Sequence, residues 1–147
     1  MSDRLVVPSS SWHIPGDFTI EFDGFDLKSG DTGSIILGQA ASAGAGTASW
    51  LVFRNATSFG FFASSGAGSW NICNALFTHD TSGESWQSYR IERRSGTLSI
   101  YVDGVLLGSS PCGPLPASSH HLTIGGASAN DNDLAGRIRN VKITNGV

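Results

Sequence analysis

Three acidic side chains near the start of the chain have the residue types and spacing that glycoside hydrolysis could use. Glu21, Asp23 and Asp26 lie in the stretch DFTIEFDGFDL, where apolar and polar residues alternate as they do in a β-strand. A retaining glycosidase needs one carboxylate as nucleophile and a second carboxyl group as acid, about 5 Å apart. The apolar phase slips by one residue at Gly24, which predicts a β-bulge that would turn all three acids to one side. The alternative, which we favour, is a solvated polar face.

Oxygen-donating side chains also cluster near the end of the chain, in the segment NDND. Asn130, Asp131 and Asp133 precede a predicted strand, and carboxylate and amide oxygens are ligands that calcium prefers. The same residue types dominate ordinary turns, and the spacing of an EF-hand loop is absent. The segment therefore has two interpretations, a calcium site and a plain turn, and no other cofactor is indicated by a sequence motif.

Trp70 is the aromatic residue that the sequence places best for contact with a sugar. It follows a Gly-Ala-Gly-Ser loop and precedes Asn71 and Asn74. The C–H faces of a sugar ring pack on indole, and amide groups bond to its hydroxyls. With His79 and Asp80 in the following loop, these residues form the candidate carbohydrate site. The alternative is that the Trp70 ring is buried.

These residues must be positioned by strands, because apolar and polar residues alternate with period two along almost the whole chain. The stretches predicted as strands are 17–27, 34–38, 49–55, 58–64, 69–78, 86–94, 97–104, 105–110, 121–125 and 136–143. Between two of them stands Asp103-Gly104, a pair that favours a type I′ hairpin turn, and Ser95-Gly96 forms a similar short connection. No segment has three turns of helical periodicity. The prediction is an all-β antiparallel two-sheet sandwich, formed by a single domain over 1–147 with residues 1–12 as an N-terminal arm.

The alternation also predicts which side chains face the core. The residues expected to point inward are Trp50, Trp86, Tyr89, Ile91, Leu98, Ile100 and Val102. Aromatic and β-branched residues of this kind supply most of the apolar area that a sandwich buries. Asp103 is expected to serve the hairpin turn, and a role in ligand binding is the alternative.

Charge and composition exclude several classes of function. The net charge is −3 and there is no basic run beyond Arg93-Arg94, which argues against nucleic-acid binding. No apolar stretch approaches the roughly 20 residues of a membrane helix. The N-terminal stretch MSDRLVVPSSSW lacks a long apolar region, which argues against a secretory signal. Without one, Cys73 and Cys112 are expected to be two free thiols, with a disulfide as the alternative, and their spacing is not that of metal ligands.

Five segments of the chain match, in the same order, a sequence pattern that recurs among the members of one protein family. They are DFTIEFDGF, WQSYRIERRSG, TLSIYVDGVLLG, LTIGGAS and LAGRIRNVKI, and they span Phe18 to Ile143. This pattern resembles the laminin-G-like branch of the concanavalin A-like lectin/glucanase jelly rolls, although Asp23 stands where that family often has tryptophan. The resemblance implies a jelly-roll sandwich and raises the expectation of calcium, which many relatives bind at loops along one rim. It does not select a function, because the fold hosts lectins, enzymes and adhesive modules.

The acidic triplet that ends at Asp26 resembles the Glu-x-Asp-x-x-Glu strand of laminarinase-like jelly-roll glycosidases. The likeness is incomplete because the last acid is one methylene shorter than glutamate. The chain is also short for an enzyme that encloses several sugar rings. We therefore expect no enzymatic activity.

The function expected from these observations is a binding or structural module on the surface of a larger assembly. Similar jelly rolls without an export signal occur in bacteriophage virions, where they decorate capsids or tail fibres and are released by lysis. The expected location is thus the virion surface, and the expected partners are glycans or virion proteins, with a trimer as the expected oligomer. The alternatives are an extracellular carbohydrate-binding lectin module and, third, a laminarinase-like glycoside hydrolase.

Overall fold

The computed structural model of the protein describes residues 4–8, 13–27, 33–81, 83–126 and 134–146. Within these ranges the regular secondary structure consists of eleven β-strands and no helix. The strands are β1 (Leu5–Val7), β2 (Phe18–Phe25), β3 (Ser34–Gln39), β4 (Ala48–Arg54), β5 (Ser58–Ser65), β6 (Cys73–Thr78), β7 (Trp86–Arg94), β8 (Thr97–Val102), β9 (Val105–Pro111), β10 (Leu122–Ile124) and β11 (Arg137–Asn145). Nothing in the described ranges is a helix of the length and apolarity needed to cross a bilayer.

The strands form two antiparallel sheets that pack face to face. The six-stranded sheet has the order β1-β10-β3-β4-β5-β6, and the five-stranded sheet has the order β11-β2-β7-β8-β9. All strand pairs are antiparallel. The predicted all-β two-sheet sandwich is therefore confirmed. Neighbours in each sheet are often distant in sequence, as β11 and β2 are, so residues from both ends of the chain meet on one surface.

The core lies between the sheets and follows the period-two pattern. In β2 the side chains of Phe18, Ile20 and Phe22 are fully buried, while the intervening residues reach the outer surface. The inward positions predicted for β7 and β8, from Tyr89 to Val102, are buried as well, and so is Trp50. Each large apolar side chain removed from water in this way contributes about 1.5–3 kcal/mol.

Trp86 is the exception, because its side chain is 38% exposed on the outer face of the five-stranded sheet. The prediction of a core position is wrong, and the reason is parity. Tyr89 and Ile91 point inward, so Trp86, an odd number of positions away from each, must point outward with Ser88 and Arg90. A large aromatic ring is thereby presented to solvent.

The strand predicted to contain a β-bulge has none. Strand β2 pairs with β7 without a break from Phe18 to Phe25, so there is no bulge at Gly24. Gly24 faces inward, where an added Cβ would lie 2.8 Å from Leu27 Cδ1. Three strand pairs in the described residues have a register shift, and the one that opposes β2 lies on β11, between Arg139 and Lys142. It therefore shapes the outer face of the same sheet.

The outer face of the six-stranded sheet is covered at its central strands. Ile35, Leu51 and Phe62 form a second apolar cluster there, with Phe53 and Trp70 packed against it. The loop between β3 and β4 folds over this cluster, and the Ala45 carbonyl accepts hydrogen bonds from Ser64 Oγ (2.8 Å) and the Gly68 amide (3.1 Å). Strands β3, β4 and β5 are consequently buried on both sides.

The predicted tight turns are present. Asp103 and Gly104 have φ angles of 49° and 78°, and Ser95 and Gly96 have φ angles of 48° and 83°, as type I′ turns require. The Asp103 carboxylate accepts a hydrogen bond from the Ser88 amide at 2.8 Å. Asp103 therefore ties its hairpin to β7, which agrees with the architectural role expected of it.

Cys73 and Cys112 form a disulfide, so the expectation of two free thiols is wrong. Cys73 begins β6, an edge strand of one sheet, and Cys112 follows β9, an edge strand of the other. Their Cα atoms are 4.5 Å apart, within the range that a disulfide spans. The bond joins the two sheets along one side of the sandwich.

Arg93 reinforces this side of the sandwich from inside. It is almost fully buried, and its Nε donates to the carbonyls of Cys112 and Gly113, each at 3.0 Å. Its Nη1 donates to Asp17 Oδ1 at 2.9 Å. Arg93 therefore binds groups inside the sandwich and is not part of a basic surface.

Candidate functional site

The first three residues of the predicted carbohydrate site lie at or beside the start of β6. Trp70 is half-buried, and its ring packs on Phe62 with 5.3 Å between the ring centroids. Asn71 accepts a hydrogen bond from the Ser65 amide (3.0 Å) and donates one to Ser65 Oγ (2.8 Å), so its amide closes the turn after β5. Asn74 is exposed in β6. The strand starts at Cys73 and not at residue 69, because this turn occupies the positions before it.

His79 and Asp80 lie beyond the opposite end of β6, which is about 20 Å long. The structure therefore does not gather the five predicted residues into one cluster, and their binding role stays a prediction. His79 Nε2 is 3.2 Å from the Tyr89 hydroxyl, and its ring stands edge-on to Phe59 at the end of the core. Burial is the main reason that the pKa of His79 lies below its usual value.

The predicted calcium residues, Asn130, Asp131 and Asp133, lie outside the described residues. In the part of the chain that the structure describes, no group of three or more His, Cys, Asp or Glu side chains could hold a metal ion. Calcium therefore stays a prediction for the NDND segment alone.

The lowered pKa of His79 predicts a loss of stability in mild acid. The folded state favours the neutral imidazole. The contribution of His79 to the free energy of unfolding is therefore fully present above the unfolded pKa of about 6.5, and it is lost as the pH falls toward the lower folded pKa. We expect His79→Gln to remove this part of the pH dependence, measured as urea midpoints between pH 5 and pH 8. His121→Gln, a change of an exposed histidine, is the matched control. An unchanged slope in His79→Gln would contradict the assignment.

The clearest candidate site is a groove on the outer face of the five-stranded sheet, with a volume of about 460 Å³. Its floor is the backbone of β2 and β7. The polar and aromatic side chains along it belong to Glu21, Asp23, Ser88, Arg90, Tyr101 and Asn140. We call this surface the sheet groove. It combines residues from four strands, and only the sheet pairing brings them together.

Asp23 is the centre of a hydrogen-bond network in the sheet groove. It accepts bonds from Asn140 Nδ2 (2.8 Å), Ser88 Oγ (3.0 Å) and Arg139 Nε (3.3 Å). The bond from Asn140, followed by the bond from Ser88, holds the pKa of Asp23 below its usual value. Asp23 is therefore a fixed, ionised acceptor at neutral pH.

The bulge in β11 explains how Asn140 reaches this position. Asn140 has φ = 55°, a left-handed conformation that is uncommon for residues other than glycine. The register shift between Arg139 and Lys142 turns its side chain toward Asp23. Asparagine adopts this conformation more readily than most other residues, so the bulge can hold the amide beside Asp23.

Two arginine–aromatic stacks hold flat surfaces beside the network. The guanidinium carbon of Arg139 lies 3.9 Å from the ring centroid of Trp86, and that of Arg90 lies 4.2 Å from the centroid of Tyr101. The Trp86 ring also contacts Phe25, with 5.5 Å between centroids. Cation–π contacts at exposed sites contribute about 0.5–1 kcal/mol each, which favours this arrangement of the rings and the arginines.

The three acids that could have formed a hydrolytic site are not equivalent. Glu21 and Asp23 share the outer face of β2. Asp26 follows the end of the strand with φ = 42°, and its amide donates to the Gly83 carbonyl at 3.2 Å. Without a bulge at Gly24, nothing turns Asp26 onto the face that carries the other two.

Several groove residues were missed in the sequence, namely Ser88, Arg90, Tyr101 and Asn140. For β7 the signal was available, because strict parity places Trp86 on the same face as Ser88 and Arg90. For Asn140 no local signal exists. Its contact with Asp23 spans 117 positions and depends on a bulge whose place the alternation does not mark.

Solved structures with a similar fold cover most of the chain. Domains LG4-5 of the mouse laminin α1 chain match with a TM-score of 0.70 and 15% identity, over 97% of this chain and 39% of that one. The CBM40 domain of the Ruminococcus gnavus IT-sialidase, bound to α2,3-sialyllactose, matches with 0.70 and 11%, over 90% and 77%. The carbohydrate-binding module CBM66 of Bacillus subtilis matches with 0.57 and 19%, over 87% and 74%. At these identities the likeness concerns the fold.

The sequence comparison gives the family. No curated protein matches the sequence. Residues 2–147 match the laminin G family model described as the concanavalin A-like lectin/glucanases superfamily, which is nearly the whole chain. The described residues of the five segments that carried the resemblance lie in the strands of the two sheets and their connections. The chain belongs to the concanavalin A-like lectin/glucanases superfamily.

Proposed function

We propose that this domain is a non-enzymatic glycan-binding module and that the sheet groove holds the sugar. The observation that carries the proposal is the juxtaposition of Trp86 and Tyr101, two rings held by arginine stacks, with the Asp23 network. A sugar ring needs a flat apolar surface for its C–H face and fixed polar groups for its hydroxyls. The groove offers both on one sheet face.

The hydrogen-bonding capacity of the groove fits hydroxyl groups. A carboxylate has about four acceptor positions, and the described residues use three of those on Asp23. The side chain of Glu21 forms no hydrogen bond or ion pair with any residue in the described ranges. Ser88 and Arg90 add a hydroxyl and a guanidinium. Donors and acceptors therefore stand side by side, as vicinal hydroxyls require.

The comparisons support the same class of ligand. Two of the three solved structures described above are carbohydrate-binding modules, and the one from Ruminococcus gnavus was solved with sialyllactose bound. We extend glycan binding to this chain because the groove has suitable chemistry. The likeness of the folds alone does not support glycan binding.

A binding role fits the acids better than hydrolysis does. Asp23 has a lowered pKa and so does not supply the protonated acid that glycoside cleavage needs. Asp26, the third acid of the triplet, stands outside the groove. We expect no release of reducing sugar from laminarin or other β-glucans. Measurable hydrolysis that disappears in Glu21→Gln would contradict a non-enzymatic role.

The disulfide bears on where the module acts. Disulfides persist in oxidising surroundings, which include the extracellular space and the surfaces of virions and cells. We therefore propose that the module acts outside the reducing cytoplasm. Attachment to a bacteriophage capsid or tail fibre and assembly into a trimer stay predictions from the sequence.

A glycan array followed by an NMR titration tests the proposal. We expect binding to at least one glycan, and chemical-shift changes confined to the face formed by β2, β7, β8 and β11, including the Trp86 indole N–H. Shifts confined to Trp70 and its neighbours would instead support the site predicted from the sequence. Absence of binding to every glycan on the array would contradict the function.

A further inference from the structure

We propose that the ligand is a linear glycan chain bound through several consecutive rings, not through one terminal sugar. This inference rests on the proposed glycan-binding function and deepens it by naming the class of ligand. The groove is longer than its central network, and both of its ends are open.

The length of the groove follows from a second depression, of about 250 Å³, that continues the sheet groove. The two share Glu21 and Arg90, which are cross-strand neighbours in β2 and β7. The joined groove runs along β7 from Ser88 to Arg94, a distance of about 20 Å at 3.3 Å per residue. One sugar ring on Tyr101 leaves most of that distance empty.

The polar groups are distributed over the whole length. At one end stands the Asp23 network, and at the other Glu92 is paired with Arg94 at 3.4 Å. Between them, Glu21 and Arg90 offer an acceptor and a donor at the point where the two depressions meet. Hydrogen-bonding groups thus repeat along the strand direction, as a chain of rings would use them.

The ends of the joined groove are formed by glycines. Gly104 borders one end and Gly146 the other. A Cβ added at either position would have no atom within 4 Å, so the space beside each of these two glycines is open. A site for a terminal sugar needs a closed end, whereas an open groove lets a chain continue in both directions.

Chain length is the variable that tests the inference. The probes are linear β-glucan, xylan and galactan oligosaccharides of one to six rings, titrated by calorimetry, with the sialylated and sulfated oligosaccharides of the array beside them. We expect affinity to rise at least about tenfold from the disaccharide to the tetrasaccharide, because each added ring makes further hydrogen bonds. Equal affinity for a disaccharide and a hexasaccharide overturns the inference but leaves the proposed function intact.

A blocking variant locates the additional rings. Thr144 is exposed and lines the second depression, and tryptophan is well tolerated in strands. We expect Thr144→Trp to remove the gain on lengthening while disaccharide affinity stays unchanged. The control Thr78→Trp places the same ring on an exposed threonine of the other sheet. If Thr144→Trp keeps the full gain, the inference is wrong; if it does not fold, the length series on the unmodified protein decides.

Discussion

Replacing both Cys73 and Cys112 by serine is expected to lower the free energy of unfolding by about 4 kcal/mol, the chain-entropy value for a loop of this length. The two cysteines are 39 positions apart in sequence, so the bond restricts a large part of the unfolded chain. It also joins edge strands of the two sheets, and Arg93 donates hydrogen bonds to the carbonyls of Cys112 and Gly113 beside it. The loss is therefore expected to open this side of the sandwich first.

Equilibrium denaturation in guanidinium chloride measures the loss, with the unmodified protein in the presence and absence of a reductant as a second route to the same comparison. The double serine variant and the reduced protein should agree. A difference of less than about 1 kcal/mol between oxidised and reduced protein would contradict a stabilising role, since native disulfides in small domains contribute 2–5 kcal/mol.

Trp86→Ala is expected to weaken glycan binding by about thirtyfold, which corresponds to about 2 kcal/mol and is typical of a central aromatic contact. The ring is exposed, so its removal leaves the core intact. It also releases Arg139, which stacks on Trp86 and donates to Asp23, so the polar network is weakened as well. Calorimetric titration with the best glycan from the array gives the affinity.

Trp70→Ala is the matched control, because Trp70 packs over the other sheet. Its affinity should stay within about twofold of the unmodified protein, the usual range for residues outside a contact. Near-ultraviolet circular dichroism and thermal melting confirm that both variants are folded. Loss of affinity in Trp70→Ala with retention in Trp86→Ala would place the sugar at the site predicted from the sequence.

The architecture was predictable because its causes are local. Period-two alternation marked ten of the strands, and Asp103-Gly104 marked a hairpin whose φ angles are those of a type I′ turn. The missing strand was β1, whose three residues are too few for alternation to show. The prediction that Trp86 faces the core was wrong because the parity of its position was miscounted along a correctly predicted strand.

The site was less predictable because its causes are not local. Asp23 and Asn140 meet only after β11 pairs with β2, and a left-handed residue in a bulge turns the amide toward the carboxylate. Trp70 looked like a platform for a sugar because a glycine-rich loop precedes it. The sheet it packs against is apolar on both faces, and alternation within single strands did not reveal a second cluster outside the main core.

Because β3, β4 and β5 are covered, the two outer faces of the sandwich differ. We call the covered face of the six-stranded sheet the back, and the face with the sheet groove the front. With the loop after β3 sealed over the central strands by Ala45, the back is a closed surface of loop and small side chains. A ligand in the sheet groove would therefore be separated from this loop by the full thickness of the two sheets.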